Sequence, residues 1–336
     1  MDDHIVKGKH SAGEPRILFV IPEGEGEAAE IFSKRQVLSL QRGGITGKNF
    51  FLASRTSPFI LMKEYLRFRK EIWEFKPDIV HAHYGTMTSF FSTIAANLPL
   101  VVTFRGSDLN RSASISWLRW SIGMIFSQLS ALKAVHTICV SGELKGKLWW
   151  RKKRVSIMPS GVDTTVFYPR PRDEVRAELG WGKDEKVVLF NAGREAVLKG
   201  LDLAQAAVDV ARNICGEIRF VILNGHVAPG LVPAMMNAAD CLTVTSKSEG
   251  SPTIVQEAIA TNLPIVSVDV GDVKEVLANV SPSQVVQRDP EEIGRAIAAI
   301  LMDPCRSNGY DVVKKFSLDN LALRVLDIYH KVRYSP

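Results

Sequence analysis

The sequence predicts an α/β protein of two Rossmann-like units, each a doubly wound parallel sheet, facing one another across a central cleft. Three observations predict it. Short apolar, β-branched runs alternate with segments of helical period, which is the signature of buried parallel strands covered by helices. That alternation restarts after SGVDTTVFYPRP (residues 160–171), a stretch rich in turn residues. The 336 residues are long for one domain and comfortable for two. The expected division is 1–165, 166–316, and a terminal helix over 317–336 that returns to the first unit.

In the first unit, Pro15–Ile21 (PRILFVI) reads as a buried strand, and Ala29–Gln41 as a helix stopped by Gly43-Gly44. A strand over 49–53 precedes a charged helix, PFILMKEYLRFRKEIWEF. PDIVHAH (77–83) is a strand, 86–97 a helix and LVVTF (100–104) a strand. A helix near 113–132, a strand over 134–140, a helix over 142–150 and a strand over 155–158 follow. Residues 84–104 carry no Lys, Arg, Asp or Glu, but Asn97-Leu98-Pro99 divides them. They therefore read as a helix and a buried strand instead of a bilayer span. In the second unit the strands are KVVLFN (186–191), RFVILN (219–224), CLTV (241–244) and LPIVSV (263–268). Helices are expected over 200–212, 231–238, 252–261, 290–302 and 317–333.

Composition excludes several classes. A hydrophobic fraction of 46% with 23% charged residues is that of a globular protein, not a disordered one. Cys139, Cys215, Cys241 and Cys305 show no C-x-x-C spacing, which argues against a disulfide framework or structural zinc and suits a reducing compartment. The polar, acidic start MDDHIVKGKH is not a secretory leader. Charge is uneven. Residues 1–165 hold 23 Lys/Arg against 14 Asp/Glu, out of whole-chain totals of 42 and 36, so the basic half is the one expected to meet an anionic surface.

Four motifs carry chemistry. Gly24-Glu-Gly26-Glu-Ala-Ala29 follows the first strand in a dinucleotide-like pattern, but Glu23, Glu25, Glu27 and Glu30 would repel a pyrophosphate. It reads better as a plain turn. Asn191-Ala-Gly193-Arg194-Glu-Ala-Val-Leu-Lys199-Gly200 joins a strand to a helix, so its two cations lie where an anion would meet helix N–H groups. Solvated surface charge is the plainer reading of that pair. SEGSPTIVQEAIA (248–260) places Glu249 before a helix and Glu257 within it. If Ser251 caps that helix and Pro252 opens it, Thr253 and Glu257 share a face, four residues apart. A carboxylate there accepts hydrogen bonds from a vicinal diol such as ribose. His81 and His83 alternate on one strand, but no third ligand lies at metal spacing; His83, at the strand end, reads equally as lining the cleft or as a satisfied structural histidine.

Taken together, G-R-x4-K-G and, fifty residues on, E-G-x6-E-A-x-A resemble the retaining glycosyltransferases of the GT-B fold, family four. PDIVHAH, VVTFRGSDL, the S-G-V-D-x3-F linker and VDVGDVKEVL have counterparts there in the same order. The resemblance implies a nucleotide-sugar donor held by the second unit and a glycan or lipid-linked acceptor held by the first. Arg194, Lys199 and Glu249 would be catalytic. Gly193, Gly225, Val227, Gly250, Ser251, Pro252, Thr253 and Glu257 would line the donor, and Gly26, His83, Arg105 and Gly106 the acceptor or cleft. It further implies retention at the anomeric carbon with no metal or other cofactor, agreeing with the lack of a D-x-D pair.

Two departures stand out: Glu249-Gly-Ser-Pro252 where relatives often have E-G-F-G, and Arg105 where they often have His. Proline removes one backbone donor, and arginine cannot exchange a proton at neutral pH. WLRWSIGMIFSQL (117–129) and LKGKLWWRKKR (144–154) mix aromatic and basic residues. They read as peripheral contact with an anionic membrane or as core plus solvated charge; nucleic acid is not expected as a partner. The expected protein is a cytoplasmic glycosyltransferase, with a peripheral position at the inner face of the membrane, acting in lipopolysaccharide, capsule or exopolysaccharide synthesis. The alternatives are a nucleotide-sugar 2-epimerase and a non-catalytic binding subunit.

Overall fold

The computed structural model describes residues 14–23, 31–54, 56–111, 115–150 and 152–333. Its chain divides into two units, 1–159 with 318–336, and 160–317. The second unit begins at Ser160, a few residues earlier than the linker suggested. The reason is packing: Val162 bridges Ser317 and, with Phe167, is buried in the second unit's core.

In the first unit, β1 (Arg16–Pro22), α1 (Ile31–Arg42), β2 (Thr46–Leu52), α2 (Pro58–Phe75), β3 (Ile79–His83) and α3 (Thr86–Ala95) come first. They are followed by β4 (Leu100–Phe104), α4 (Trp117–Lys133), β5 (His136–Cys139), α5 (Gly142–Gly146) and β6 (Val155–Ile157). The six strands are parallel in the order β2-β1-β3-β4-β5-β6. Every residue of β3 and β4 is buried, the two histidines of β3 and Thr103 of β4 included, as expected of central parallel strands. Helix α5 ends at Gly146 instead of continuing to 150. Beyond it the chain hangs on α4, where Gln128 receives the Trp149 N–H on its side-chain carbonyl at 3.0 Å and the Trp150 indole N–H on its backbone carbonyl at 3.1 Å.

In the second unit, α6 (Arg172–Leu179), β7 (Val187–Gly193), α7 (Ala196–Lys199), α8 (Leu201–Cys215), β8 (Arg219–Asn224) and α9 (Val232–Ala238) precede β9 (Cys241–Val244). Then come α10 (Thr253–Ala260), β10 (Ile265–Val268), α11 (Val273–Leu277), β11 (Gln284–Val286), α12 (Pro290–Met302) and α13 (Gly309–Val313). The five strands are parallel, in the order β11-β10-β9-β7-β8. Because β8 lies on one side of β7 and β9 on the other, the winding reverses between β7 and β9. Ligands of open α/β sheets bind outside the strand carboxyl ends at such a reversal.

The last helix, α14 (Leu318–Arg333), belongs to the first unit and packs against α1. Its Tyr329 is fully buried, with its hydroxyl 2.5 Å from His81 Nδ1; the other ring nitrogen of His81 lies 2.7 Å from Thr103 Oγ1. His81 is thereby consumed in tying α14 to the sheet. Burial pushes its pKa down to about 3, so the ring stays neutral. Among the described residues no cluster of three His, Cys, Asp or Glu could hold a metal, and no helix is long and apolar enough to cross a membrane.

Candidate functional site

At the β7 carboxyl end the chain makes two bends that local sequence dictates. Gly193 has φ +51 and Gly200 φ +75, left-handed values that glycine adopts without a Cβ penalty. A Cβ at Gly200 would also lie 2.3 Å from the Thr245 carbonyl oxygen, so the close approach of this loop to the end of β9 requires glycine. The Thr245 hydroxyl donates to the carbonyls of Lys199 (3.0 Å) and Gly200 (2.8 Å), and Arg288 Nη1 donates to those of Thr245 (2.8 Å) and Ser246 (3.0 Å). These bonds fix the Lys199 backbone against the loop that carries Glu249. The result is a direct ion pair, Lys199 Nζ to Glu249 Oε1 at 2.5 Å, with side chains 23% and 15% exposed.

Arg194 is exposed and makes no hydrogen bond or ion pair among the described residues. Gly225, at the end of β8, lies under it: a Cβ there would be 3.2 Å from Arg194 Cγ, and the Gly225 N–H donates to the Gly193 carbonyl at 3.2 Å. Val227 follows in the same turn, partly buried against the core, its N–H donating to the Asn224 carbonyl at 3.1 Å. Both cations follow the carboxyl end of β7, with the Gly225 turn at the end of β8 on one side and the end of β9 on the other.

The helix that follows Glu249 begins differently from the expectation. Pro252 is the N-cap, with φ −69 and ψ 112, and the helix proper starts at Thr253. Ser251 does not cap it, because its hydroxyl is already filled: it donates to Asp272 Oδ2 at 2.7 Å and accepts from Ser160 N (3.1 Å) and Gln256 Nε2 (3.0 Å). A hydroxyl has one donor and two lone pairs, so none of this side chain's hydrogen-bonding capacity is left for a ligand. Gly250 is pinned from behind by Gly271, which has φ +64 and no room for a Cβ, since one would sit 2.8 Å from the Gly250 carbonyl oxygen. Every residue of α10 is buried except Thr253 and Glu257, one turn apart on one face. The face expected to carry those two residues is the only part of α10 that reaches solvent.

Asp272, Gly271 and Arg288 were not singled out from sequence. Gly271 and Asp272 lie within VDVGDVKEVL, but their roles depend on partners 21 or more residues away, as does that of Arg288. Burial raises the Asp272 carboxyl to about 7, with the Ser251 hydrogen bond opposing and Glu275 and Glu249 reinforcing the rise. A folded pKa above the unfolded value makes a contribution to stability that is full at acid pH and lost as pH rises through about 7. Stability is therefore expected to decline between the ordinary carboxylate range and neutrality. Asp272→Asn should flatten that decline in melts recorded from pH 4 to 8, whereas an unchanged slope would refute it.

In the first unit, His83 ends β3, beside β1, where that sheet's winding reverses. Its Nδ1 lies 3.1 Å from Arg105 Nη2, which also donates to Gln36 Oε1 at 2.7 Å. His83 Nε2 and Arg105 Nε are buried with no hydrogen-bond partner among the described residues. Burial pushes the His83 pKa well down and the Arg105 pKa to about 10, so at neutral pH the imidazole is neutral and the guanidinium charged. The organiser of this corner is Asp108. It accepts the N–H groups of Gly85 (2.9 Å), Arg105 (3.0 Å) and Gly106 (2.8 Å), the last at φ +145. Tyr84 and Thr86, flanking Gly85, hold φ of 105 and 54, strained values for residues with a Cβ. Gly26 and the glycine stretch around it lie outside the described residues.

The comparisons with known proteins accord with this architecture. A family model described as Glycosyltransferase Family 4 matches residues 16–166, and one described as Glycosyl transferases group 1 matches 183–303. The chain is 25% identical over 244 residues to a glycosyltransferase assigned to teichuronic acid biosynthesis in Bacillus subtilis, covering 66% of this chain and 60% of that protein. It spans between 40% and 60% of the first curated relatives it matches. Among solved structures, sucrose-phosphate synthase of Thermosynechococcus elongatus superposes with a TM-score of 0.77 at 17% identity, covering 95% of this chain and 99% of that one. HepE of Anabaena, solved with UDP and glucose, superposes at 0.73 and 17% identity, covering 95% and 100%.

Two Rossmann-like parallel-sheet units, matched in order by these models and structures, define the GT-B class of glycosyltransferases. Within that class the chain belongs to family four, the group 1 glycosyltransferases.

Proposed function

We propose that this protein transfers a sugar from a UDP- or GDP-sugar to a hydroxyl of a glycan or lipid-linked acceptor, with retention and without a metal. The observation that carries the reading is the Lys199–Glu249 ion pair, which ties the segment after β7, where Arg194 lies, to the loop that leads into the Thr253/Glu257 face of α10, at one sheet reversal. HepE, of the same fold, was solved with UDP and with UDP-glucose. Within this reading Arg194 and Lys199 neutralise the diphosphate: arginine offers a planar fork, and lysine a point charge with three donors, one of them used by Glu249. Glu257 accepts from the ribose hydroxyls, and Gly225 to Val227 meets the base through backbone. Glu249, held by Lys199, stands beside the sugar.

As the anomeric carbon–oxygen bond to the diphosphate breaks, negative charge grows on the leaving phosphate and positive charge on the sugar ring. The acceptor hydroxyl adds to the same face, forming the new glycosidic bond and giving its proton to the departing diphosphate. Fixed cations on the leaving group are what this sequence most requires. The His83–Arg105 corner is assigned to the acceptor side, where a permanently charged guanidinium favours an anionic group. The unpaired cysteines fit a reducing, cytoplasmic setting.

A thermal-shift screen against nucleotides and nucleotide sugars tests the donor. UDP or GDP should raise the melting temperature, and Glu257→Ala should weaken that affinity about tenfold or more, the worth of a hydrogen bond to a charged group. No shift with any nucleotide would refute the donor site. An epimerase would convert its nucleotide sugar with no acceptor present, whereas the transferase requires one.

A further inference from the structure

We infer that the outer face of the α2–α3–α4 layer in the first unit is a docking surface for a bilayer that carries anionic lipids. This rests on the surface itself and not on the donor site. Helix α4 is inside out. Ser127, Gln128, Ser130 and Ala131 are its buried residues, while Trp117, Leu118, Ile122, Ile125, Leu129 and Leu132 are exposed. From Leu118 onward those apolar positions recur every three or four residues and form one stripe.

Helix α3 buries Thr88, Ser89 and Ser92 beside Phe91 and Ala95, and leaves Ile94 59% exposed. The inward hydroxyls are largely satisfied within the fold: Ser92 donates to the Thr88 carbonyl at 2.9 Å, Ser130 to Phe126 at 2.7 Å and Ser127 to Asp108 at 3.0 Å. On α2, Phe59, Met62 and Leu66 are 84%, 66% and 65% exposed, again at stripe spacing. Exposed apolar stripes on α2 and α4, with the small polar groups of α4 turned inward, mark an interaction surface.

Charge decides the occupant. Helix α4 carries Arg119 and Lys133 and no carboxylate. Trp149, 58% exposed and hung from Gln128, lies alongside it, and the exposed Lys152, Lys153 and Arg154 follow. Tryptophans and cations bordering an apolar field suit the headgroup level of an anionic bilayer, where rings sit at the interface and lysines meet phosphates. A second copy seated on the same face would bring like charges together.

Sedimentation with phosphatidylcholine vesicles, with and without 30 mol% phosphatidylglycerol (about a third of the lipid, enough to set a negative surface potential), tests the surface. The wild-type protein should sediment with the anionic vesicles and be released by high salt. Leu118→Gln with Ile122→Gln and Ile125→Gln should lower partitioning at least about tenfold, as should Lys152→Ala with Lys153→Ala and Arg154→Ala. Melting and the response to UDP should be unchanged in both, because all six positions lie on the first unit's surface. Absence of sedimentation, or variants that bind as well as wild type, would overturn the inference. So would light scattering that shows a dimer which the apolar variant converts to monomer. Failure of UDP to bind any form would count against the donor site alone.

Discussion

Lys199→Ala is expected to lose at least about a hundredfold in kcat while melting close to wild type, the size seen when one preorganised donor to a developing charge is removed. The loss should fall mainly on kcat instead of KM, because the cation matters most once negative charge has built up on the leaving group. Lys199 is also held in place at both ends: its carbonyl receives the Thr245 hydroxyl, and its Nζ meets Glu249. Glu249→Gln should therefore cost activity partly by releasing Lys199, and the two substitutions should be less than additive when combined. Lys199→Arg keeps the charge but exchanges a compact ammonium for a broad fork, so it should recover only part of the rate. Full-rate turnover by Lys199→Ala would end the proposed mechanism.

Much of this arrangement was legible in the sequence, for a physical reason. A buried parallel strand presents apolar side chains to both faces, so β3, β4, β7, β9 and β10 announce themselves as short apolar runs. Gly193, Arg194, Lys199 and Gly200 lie on one loop, and Glu249 and Glu257 flank one helix start, so their spacing alone brings them to one edge. What escaped were elements without an apolar period. Helix α6, RDEVRAEL, buries only Val175 and Arg176, although Gly180 at φ 66 ends it as a left-handed glycine does. Ser251 looked like an ordinary cap because Ser before Pro is a common helix start. Only the fold reveals that Asp272, Gln256 and Ser160 have already claimed its hydroxyl. Asp108 was likewise hidden within an acceptor-side motif whose arginine drew attention first.

The largest stability effect should come from the opposite end of the same sheet. Arg176, 1% exposed, donates to the carbonyls of Ala238, Gly182, Lys183 and Glu185 at 2.7 to 2.9 Å and to Asp240 Oδ2 at 2.8 Å. Asp240, at the amino end of β9, also accepts from Arg172 Nε at 2.8 Å and from the Val187 N–H at 2.7 Å. One carboxylate therefore joins α6, β7 and β9. Asp240→Ala strands the Arg176 guanidinium in a site with almost no water, and removing one partner of a buried pair costs about 3–5 kcal/mol. The second unit should melt roughly 6–20 °C lower, since each kcal/mol is worth about 2–4 °C in a unit of this size. Asp240→Ala combined with Arg176→Met should lose less than the sum of the single changes, because the stranded charge is then gone. Nucleotide affinity measured well below the melting temperature should stay at the wild-type value, as these residues sit at strand amino ends and Arg194, Lys199 and Glu249 at carboxyl ends. A drop of under about 1 kcal/mol in calorimetry would show that water reaches this pair after all, as it does for exposed ion pairs.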